Sequence, residues 1–368
     1  MVKSLLFLLV SIFGWFHSES QPTHFVYVSH NLPVSEYGIS VYNWEEESGK
    51  LTKVNQVSEV KTSSYLAVNQ ADSRLYTVNK EGIQSFKINR QTGELTLINA
   101  VDHMGKGPCY ISISSDKKYV LVAYYVSGSF ASYTIDENGG IGDGVSHIKH
   151  EGSSINQSRQ EGPHAHMILP APTGDLVYVT DLGTDEVKTY RLNDTGVFSK
   201  EPVSITKVTP GFGPRHLVFH PSLPYVYVLA ELTGRVLTYV YHPELGITKK
   251  VGENGILPKG FDGFNKSADL HITPDGRFLY ASNRGANTLA VGQIDQQIGG
   301  LNIISNESCG GDWPRAFEVD PSGKYLLVAQ KRSDQISVMK IDSITGGYKK
   351  TSDIPVVKGP QCIKFLSR

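Results

Sequence analysis

Charged residues recur at two fixed positions of a repeated unit in this sequence. In its clearest copy, Arg215 opens an apolar run that leads to Pro221, and Glu231 closes a second apolar run after the turn. Alternating Val, Leu, Tyr and Phe are typical of strands, and a proline between them suits a turn. Because such a hairpin reverses the chain, Arg215 and Glu231 are predicted to lie side by side. An arginine beside a carboxylate can bind a phosphate or carboxylate ligand through two hydrogen bonds.

Alignment of the copies at the turn residue extends this pair into a set. The openings of the first strands are Ser64, Cys109, His166, Arg215, Ala268, Arg315 and, in a split copy, Gln361. The ends of the second strands are Lys80, Tyr125, Leu182, Glu231, Arg284, Lys331 and Asn31. Both positions lie away from the hairpin turn, so they are predicted to surround one opening of the molecule. His164 is two residues from His166 and is expected on the same strand face.

The members of this set that can do chemistry give the opening a positive bias. The predicted catalytic residues are His166, Arg215, Glu231 and Arg284, and the predicted substrate-binding residues are His164, Arg315, Lys331 and Lys80. A cationic cleft attracts a small anionic molecule. Each residue also has a plainer interpretation: Glu231 could simply neutralise Arg215, and His166 could be a structural histidine. Their coincidence at equivalent repeat positions favours a site.

The elements that must position these residues repeat through the chain. Copies of the two-strand unit recur at intervals of roughly 45 to 57 residues, in the range of β-propeller blades. A third apolar run and a glycine-rich turn such as Gly346-Gly347 follow each unit, and an outer strand completes the four. The sequence therefore predicts an all-β fold, a seven-bladed β-propeller with four antiparallel strands per blade. Two β-sandwiches are the alternative, and they explain the spacing poorly.

The two ends of the chain fit a closed ring. Residues 361–365 are typical of the first strand of a further copy, and residues 24–29 are typical of a second strand without a first. Pairing these two strands would complete one blade and remove an exposed sheet edge. We therefore predict one propeller domain over residues 21–368. The longest insert, Gly142 to Glu161, is polar and is expected to be a surface loop.

The amino terminus and the N-glycosylation motifs predict an exported glycoprotein. Met1 to Ser20 combines Lys3, a short apolar core and small residues before Gln21, which is typical of a secretory signal peptide. An uncleaved anchor is the alternative. The glycosylation motifs lie at Asn156, Asn193, Asn265 and Asn306. We expect a secreted or secretory-lumen protein that has no membrane contact once the signal is cleaved.

Composition narrows the possible partners. The chain has 368 residues, a formal net charge of -1 and no basic block, which argues against nucleic acid as a partner. Its three cysteines are too few for a disulfide scaffold, and an odd number leaves at least one thiol free or paired elsewhere. The opening offers only Glu231 and Asn31 as oxygen ligands, so neither a metal nor another cofactor is predicted.

Short motifs around the predicted opening carry a family resemblance. They are Gly162 to His166, Asp181 to Gly183, Gly213 to His216, Ala230 to Leu232, Pro274 to Tyr280, Ser282 to Gly285 and Pro314 to Arg315. In this order they resemble the seven-bladed propeller lactonase family, which includes bacterial-type 6-phosphogluconolactonase and fungal carboxy-cis,cis-muconate cyclase. The resemblance implies that the family's active-site His, Arg, Glu and Arg fall on His166, Arg215, Glu231 and Arg284. Family members of known role act on intracellular metabolites, whereas this chain carries export signals.

The resemblance and the predicted opening favour a lactonase, a carboxylic-ester hydrolase of the 6-phosphogluconolactonase-like type that acts on a sugar-acid lactone. Hydrolysis needs a base for water, donors for the developing oxyanion and a grip on the substrate. Imidazole titrates near neutral pH, whereas neighbouring arginines lower the pKa of Glu231, so His166 is the expected base. Arg284 and Arg215 are expected to hold the anionic substituent and to stabilise the oxyanion.

Two other functions would use the same fold. A muconate-type cycloisomerase would bind carboxylates with the same cations and move a proton without water. A non-catalytic extracellular propeller would bind a ligand or a protein through one face, because a fold does not fix a function. The expected partner of either enzyme is a small anionic lactone or carboxylate. Product assays separate hydrolysis from cyclisation, and inactivity of a folded protein would favour the binding propeller.

Overall fold

Each copy of the repeated unit forms one four-stranded antiparallel sheet. The computed structural model describes residues 23–31, 37–356 and 358–368, and the predicted signal segment, Met1 to Ser20, lies outside these ranges. The described residues form 28 strands in seven sheets. No helix that could cross a membrane occurs among them. The predicted seven-bladed propeller with four antiparallel strands per blade is confirmed.

The strands follow the chain blade by blade. The first blade contains β1 (His24–His30), β2 (Ile39–Glu45) and β3 (Lys50–Val57). The second contains β4 (Tyr65–Asn69), β5 (Arg74–Val78), β6 (Ile83–Ile88) and β7 (Leu95–Val101). The third contains β8 (Pro108–Ile113), β9 (Tyr119–Tyr124), β10 (Ser129–Ile135) and β11 (Ile141–Lys149). The fourth contains β12 (Ala165–Pro170), β13 (Leu176–Asp181), β14 (Glu186–Arg191) and β15 (Ser204–Lys207). The fifth contains β16 (Pro214–Phe219), β17 (Tyr225–Ala230), β18 (Arg235–His242) and β19 (Gly246–Gly255). The sixth contains β20 (Lys266–Ile272), β21 (Phe278–Arg284), β22 (Thr288–Ile294) and β23 (Leu301–Ser308). The seventh contains β24 (Pro314–Val319), β25 (Tyr325–Gln330), β26 (Gln335–Ile341) and β27 (Tyr348–Pro355). The last strand is β28 (Pro360–Ser367).

The ring closes between the first and last strands. β28 pairs antiparallel with β1, with Val26 opposite Phe365 and Val28 opposite Ile363, and so becomes the first strand of the first blade. The seven first strands, from β4 through β24 to β28, contact one another in a closed circle around the central channel. The predicted closure is therefore confirmed, and the ring has no unpaired inner edge at its seam.

Neighbouring blades are joined by a tyrosine–glycine contact that recurs with the repeat. Tyr227 of β17 donates its hydroxyl hydrogen to the carbonyl of Gly299 at 2.8 Å, and Tyr280 of β21 donates to that of Gly346 at 2.7 Å. Both glycines have a positive φ, 64° and 72°. A Cβ at Gly299 would also lie 2.2 Å from the ring of Tyr225. This position requires glycine, which explains the glycine-rich turns of the sequence.

A β-bulge opens the first strand of six of the seven described blades. At each bulge the pairing of the first and second strands skips one residue, or two in the sixth blade. The skipped residues are Cys109, His166, Arg215, Ala268 with Asp269, Arg315 and Gln361. The pair β4–β5 of the second blade keeps an unshifted register. Bulges re-aim side chains and often occur beside active sites. The residues that the repeat marks as strand openings are therefore mostly bulge residues.

The insert Gly142 to Glu161 is only partly the surface loop that its polarity predicts. Its first half belongs to β11, an outer strand with a solvent-facing side that accepts polar residues. Residues 150–161, here called the strap, return to the ring. The hydroxyl of Ser154 donates to Asp185 at 2.5 Å, and the buried Gln160 donates to the carbonyl of Leu182 at 2.9 Å. These bonds fix the strap against the fourth blade.

Candidate active site

Glu231 is the centre of a buried ion cluster at one mouth of the channel. It directly follows β17, and only 2% of its surface is exposed. Its Oε2 accepts hydrogen bonds from Arg215 Nη1 at 2.7 Å and from Arg284 Nη2 at 2.9 Å. Its Oε1 accepts a hydrogen bond from Arg159 Nη2 at 2.6 Å. Three guanidinium groups share one carboxylate, so the cluster keeps an excess of positive charge.

His166 joins this cluster through Arg215. Nη1 of Arg215 donates to Nε2 of His166, and because a guanidinium is never an acceptor, Nε2 must supply a lone pair. The hydrogen of the neutral ring therefore lies on Nδ1, which is buried and has no hydrogen-bond partner among the described residues. Burial, reinforced by the charge of Arg215, holds the pKa of His166 well below its usual range. The ring is accordingly neutral.

The arginines also decide the ionisation of Glu231. Burial alone would raise the pKa of this carboxyl, but Arg284 and Arg215 outweigh burial and hold the pKa well below its usual range. Glu231 is therefore a carboxylate that neutralises cations. Burial, together with the charge of Arg215, lowers the pKa of Arg284 to about 9. A second anion near Arg284 would consequently be stabilised.

Arg315 and Lys331 add two further cations to the mouth. Arg315 lies in β24 and Lys331 directly follows β25, and both side chains are partly buried. No carboxylate of the described residues forms an ion pair with either of them. Burial and the charge of Arg215 lower the pKa of Arg315 to about 10, and burial and Arg315 lower that of Lys331 to about 8. These two charges are therefore available to an anionic ligand.

The other two predicted binding residues differ in position. His164 stacks on Tyr125 with ring centroids 4.3 Å apart, and its Nε2 lies 3.2 Å from Glu161 Oε1. Tyr125 also contacts the ring of His166, so His164 borders the cluster. Lys80 lies in an exposed bend after β5, in the blade that lacks the bulge. No contact among the described residues brings Lys80 to the cluster.

Arg159 is a member of the cluster that sequence reasoning missed. It belongs to the strap rather than to the repeat, so no equivalent position in another blade marks it. Besides its bond to Glu231, its guanidinium donates to the hydroxyl of Tyr125 at 3.3 Å. Nothing in the sequence distinguishes Arg159 from the other charged residues of the insert, because its partners are set by the path of the strap.

A second chain of buried charges, here called the channel network, lies beside the cluster. Nδ1 of His216 donates to Asp269 Oδ1 at 2.8 Å, and His271 bridges Asp269 at 3.3 Å and Glu318 at 3.1 Å. Lys364 pairs with Glu318 at 2.6 Å. Burial would lower the pKa of His271, but Glu318 and Asp269 outweigh it and raise the pKa to about 10. The sequence did not predict these residues, most of which lie inside the repeated unit rather than at its ends.

Turn residues with a left-handed backbone fix the loops that lead into the site. Asn287 has a φ of 56°, and its Oδ1 accepts a hydrogen bond from the backbone N–H of Trp313 at 3.0 Å. Asp185, at the equivalent position of the fourth blade, accepts from the N–H groups of Gly211 and Gly213 at 2.6 Å each. These loops open β24 and β16, the strands that carry two arginines of the mouth. A polar side chain in one blade thus holds the entry to the next.

The predicted glycosylation sites are engaged to different degrees. Asn193 is exposed in a turn after β14, where its Oδ1 accepts from Thr195 of its own motif. Asn156 makes the same local contact with Ser158 in the strap. Asn306 is partly buried in β23, and its Nδ2 donates to the carbonyl of Ile256. The fourth asparagine, Asn265, is also partly buried, and its Nδ2 donates to the carbonyl of Arg284 at 2.9 Å.

The cysteines and the metal-ligating side chains of the described residues indicate neither a thiolate nucleophile nor a metal centre. Cys109, Cys309 and Cys362 are all free thiols. Burial raises the pKa of Cys109 to about 12 despite the nearby arginines, so its nucleophilic thiolate is disfavoured. Among the described residues, no group of three or more His, Cys, Asp and Glu side chains is arranged to hold a metal ion.

Known proteins are similar to this chain in both sequence and fold. The family described as lactonase, 7-bladed beta-propeller, matches residues 25–365. A 6-phosphogluconolactonase of Bacillus subtilis is 31% identical over 333 residues, 89% of this chain and 94% of the relative. A putative 6-phosphogluconolactonase from Bacteroides fragilis superposes with a TM-score of 0.88 at 28% identity, over 95% of this chain and 99% of the other. A periplasmic gluconolactonase from Pseudomonas aeruginosa does so with a TM-score of 0.87 at 27% identity, over 94% and 99%.

The chain belongs to the lactonase family of seven-bladed β-propellers, a class of lactone-hydrolysing enzymes. Within that class it is a carboxylic-ester hydrolase of the 6-phosphogluconolactonase type, since curated relatives of that name are 31% and 33% identical to it. The resemblance seen in the sequence motifs is confirmed. The roles assigned to single residues stay predictions.

Proposed function

We propose that this protein hydrolyses the lactone of a sugar acid that carries an anionic group, such as phosphorylated gluconolactone, outside the cytosol. One observation carries the proposal. Arg315 and Lys331 lie at the mouth and form no ion pair with any carboxylate of the described residues. Beside them, three arginines share Glu231. A phosphate or carboxylate bound there would receive charge-assisted hydrogen bonds, which are about twice as strong as neutral ones.

The cations divide into two groups by their present partners. Arg315 and Lys331 bind the anionic substituent, since no carboxylate of the described residues forms an ion pair with them. Arg284 and Arg215 remain bonded to Glu231 and stabilise the negative charge that develops on the carbonyl oxygen. Water adds to the carbonyl carbon, the bond from that carbon to the ring oxygen breaks, and a hydroxy acid leaves.

The hydrogen bonds set a condition on His166 as the base. Its Nε2 lone pair is already occupied by Arg215, so His166 accepts a proton from water only after this bond breaks. Glu231 is a poor proton acceptor, because three arginines stabilise its charged form. The expected role of His166 thus stays a prediction that mutagenesis must test.

An uncharged gluconolactone is the second candidate substrate. The structural neighbour from Pseudomonas aeruginosa is described as a periplasmic gluconolactonase, and it covers 94% of this chain at 27% identity. That description joins this fold with a location outside the cytosol. It supports the export that we propose from the signal segment, Met1 to Ser20, and from the glycosylation motifs.

Hydrolysis of phosphorylated and unphosphorylated gluconolactone by the purified protein tests the proposal. Arg284→Ala should lower kcat/KM on the phosphorylated lactone, because it removes an oxyanion donor. Arg315→Gln and Lys331→Gln should each raise KM for that lactone about 10- to 100-fold, the effect of one lost hydrogen bond to a charged group. KM for the uncharged lactone should change less than about threefold in these two variants.

Lys118→Gln is the matched control, because it removes a lysine charge from the hairpin between β8 and β9, at the other end of the ring. It should leave both substrates unaffected. A folded wild-type protein that hydrolyses neither lactone would overturn the proposal. Activity on the uncharged lactone alone, indifferent to Arg315 and Lys331, would replace the first candidate substrate with the second.

A further inference from the structure

We propose that His216, oriented by Asp269, takes the proton from the attacking water during lactone hydrolysis. The inference rests on the proposed function and adds a catalytic residue to it. His216 and Asp269 belong to the channel network rather than to the set that the repeat predicts. Three features of the pair support this role: the free nitrogen of His216, the charged state of Asp269, and the position of both residues beside the mouth.

The hydrogen bonds of His216 leave one ring nitrogen free to accept a proton. Nδ1 donates to Asp269 Oδ1 at 2.8 Å, which places the ring hydrogen on Nδ1 and a lone pair on Nε2. Nε2 is buried and has no hydrogen-bond partner among the described residues. Nε2 therefore keeps a lone pair that no described protein group uses. The same lone pair of His166 is occupied by Arg215.

Asp269 is fixed as a charged group. Its Oδ1 also accepts a hydrogen bond from the N–H of Leu270 at 3.1 Å, and its Oδ2 accepts one from the N–H of Phe317 at 3.3 Å. Burial alone would raise the pKa of Asp269, but His271 and His216 outweigh burial and hold it well below the usual range. A buried carboxylate of this kind orients an imidazole and stabilises the imidazolium that forms during proton transfer.

His216 lies next to the ion cluster of the mouth. Its ring is 5.4 Å from that of His166, edge to face, and 5.4 Å from that of Tyr110. Its chain neighbour Arg215 binds Glu231. An anionic lactone held by the cations of the mouth would therefore lie close to His216.

The charges around His216 keep it unprotonated before substrate binds. The charged and titratable groups that face it are Asp269, His166, Arg215, Arg315, Tyr65 and Tyr110. Burial, opposed by Asp269, lowers the pKa of His216 to about 4, and the two arginines add to this lowering. An anion bound to these arginines offsets their charge, so the affinity of Nε2 for a proton rises when substrate is present.

His216 would carry one proton from the water to the leaving ring oxygen. The water oxygen forms a bond to the carbonyl carbon while one water proton moves to Nε2 of His216, and the carbonyl electron pair moves to the oxygen. The intermediate then collapses, and the bond between the carbonyl carbon and the ring oxygen breaks. The proton on Nε2 moves to the ring oxygen, which leaves as a hydroxyl group. One water is consumed, and no atom is oxidised or reduced.

His216→Asn, His166→Gln and His220→Asn test this role together. His216→Asn should lower kcat about 10²- to 10⁴-fold, the range of a lost general base, with KM changed less than about threefold. His166→Gln should lower kcat less than about tenfold, because its amide oxygen replaces Nε2 as the acceptor of the Arg215 hydrogen bond. His220, buried at the hairpin end of β16 and bonded to the carbonyl of Gly276, is the matched control, and its variant should keep wild-type kinetics.

Asp269→Asn gives a second test if His216→Asn does not fold. It should lower kcat about 10- to 100-fold and shift the acid limb of the kcat profile to lower pH, because the lost carboxylate no longer stabilises the imidazolium. A kcat of folded His216→Asn within about threefold of wild type would overturn the inference, as would an unchanged pH profile in Asp269→Asn. A wild type without lactonase activity would instead defeat the proposed function.

Discussion

At the scale of single residues, one carboxylate holds the mouth of the channel together. Glu231 accepts hydrogen bonds from Arg159, Arg215 and Arg284 and is almost fully buried. The three guanidinium groups would repel one another without it. Glu231 is therefore a structural requirement of the site, whatever its part in the reaction.

Glu231→Gln should lower the free energy of unfolding by about 3 to 5 kcal/mol, because it leaves buried cations without their anion. Urea denaturation measures this change. Glu253→Gln is the control, since Glu253 pairs with Arg235 at 3.0 Å on a partly exposed surface. The control should cost at most about 1 kcal/mol. Equal losses in the two variants would contradict the central role of Glu231.

His271 should make stability depend on pH in the alkaline range. Its pKa of about 10 in the folded protein lies above its ordinary value of 6.5. The stabilisation from its charge is therefore complete below about pH 6.5 and is lost as the pH rises towards 10. The difference in unfolding free energy between wild type and His271→Gln should shrink between about pH 6 and pH 9.5 in urea denaturation. A constant difference would mean that His271 is not charged in the fold.

Some of these site residues could be predicted from the sequence, and others could not, for physical reasons. Arg215 and Glu231 could be placed together because a hairpin fixes both ends of its two strands. Arg159 could not, since its ion pair depends on how a non-repeating strap returns to the ring. Asp269 could not either, because a bulge interrupts the alternation of inward and outward side chains beside Ala268.

At the scale of elements, bulges and left-handed turns together aim the cations. A bulge skips Arg215 in β16 and Arg315 in β24, and a polar turn residue of the preceding blade fixes each entry loop. Asn287 holds the loop before Arg315. Asp334 holds the equivalent loop before Gln361 by accepting from the N–H of Gly359 at 2.9 Å.

Asn287→Gly should impair substrate binding, whereas Asp334→Gly should not. Both residues have a positive φ, 56° and 52°, which glycine adopts freely. Each substitution removes side-chain hydrogen bonds and should lower the free energy of unfolding by about 1 to 2 kcal/mol. Only Asn287→Gly loosens Arg315, so only it should raise KM for the phosphorylated lactone. An equal rise in both variants would show that the turns act on stability alone.

At the scale of the whole molecule, the sequence repeat made the fold predictable. The spacing of the copies, the glycine turns and the complementary end strands all required one closed ring, and the pairing of β1 with β28 completes it. The unshifted register of the second blade could not be foreseen from the repeat, and the substrate-binding role of Lys80 stays a prediction. The signal segment lies outside the described residues, so export stays a proposal.

Glycan occupancy tests that proposal on the expressed protein. Secreted from a eukaryotic cell, the protein should carry a glycan on Asn193, which is exposed in a turn. Asn306 should carry none or little, because it is partly buried and its amide bonds to Ile256. Peptide mapping by mass spectrometry after enzymatic deglycosylation distinguishes the two. Retention inside the cell, with Asn193 unmodified, would contradict export.

The seam between β1 and β28 also sets the order of events during synthesis. The two strands of the seam are separated by almost the whole length of the sequence. β1 therefore has no inner neighbour until the ribosome has released the eight residues of β28. Contacts of such long sequence separation form slowly, and an open sheet edge is prone to aggregate in the meantime. A nascent chain therefore keeps this open edge until β28 is synthesised, and deletion of β28 should lower the yield of folded protein more than deletion within a surface turn.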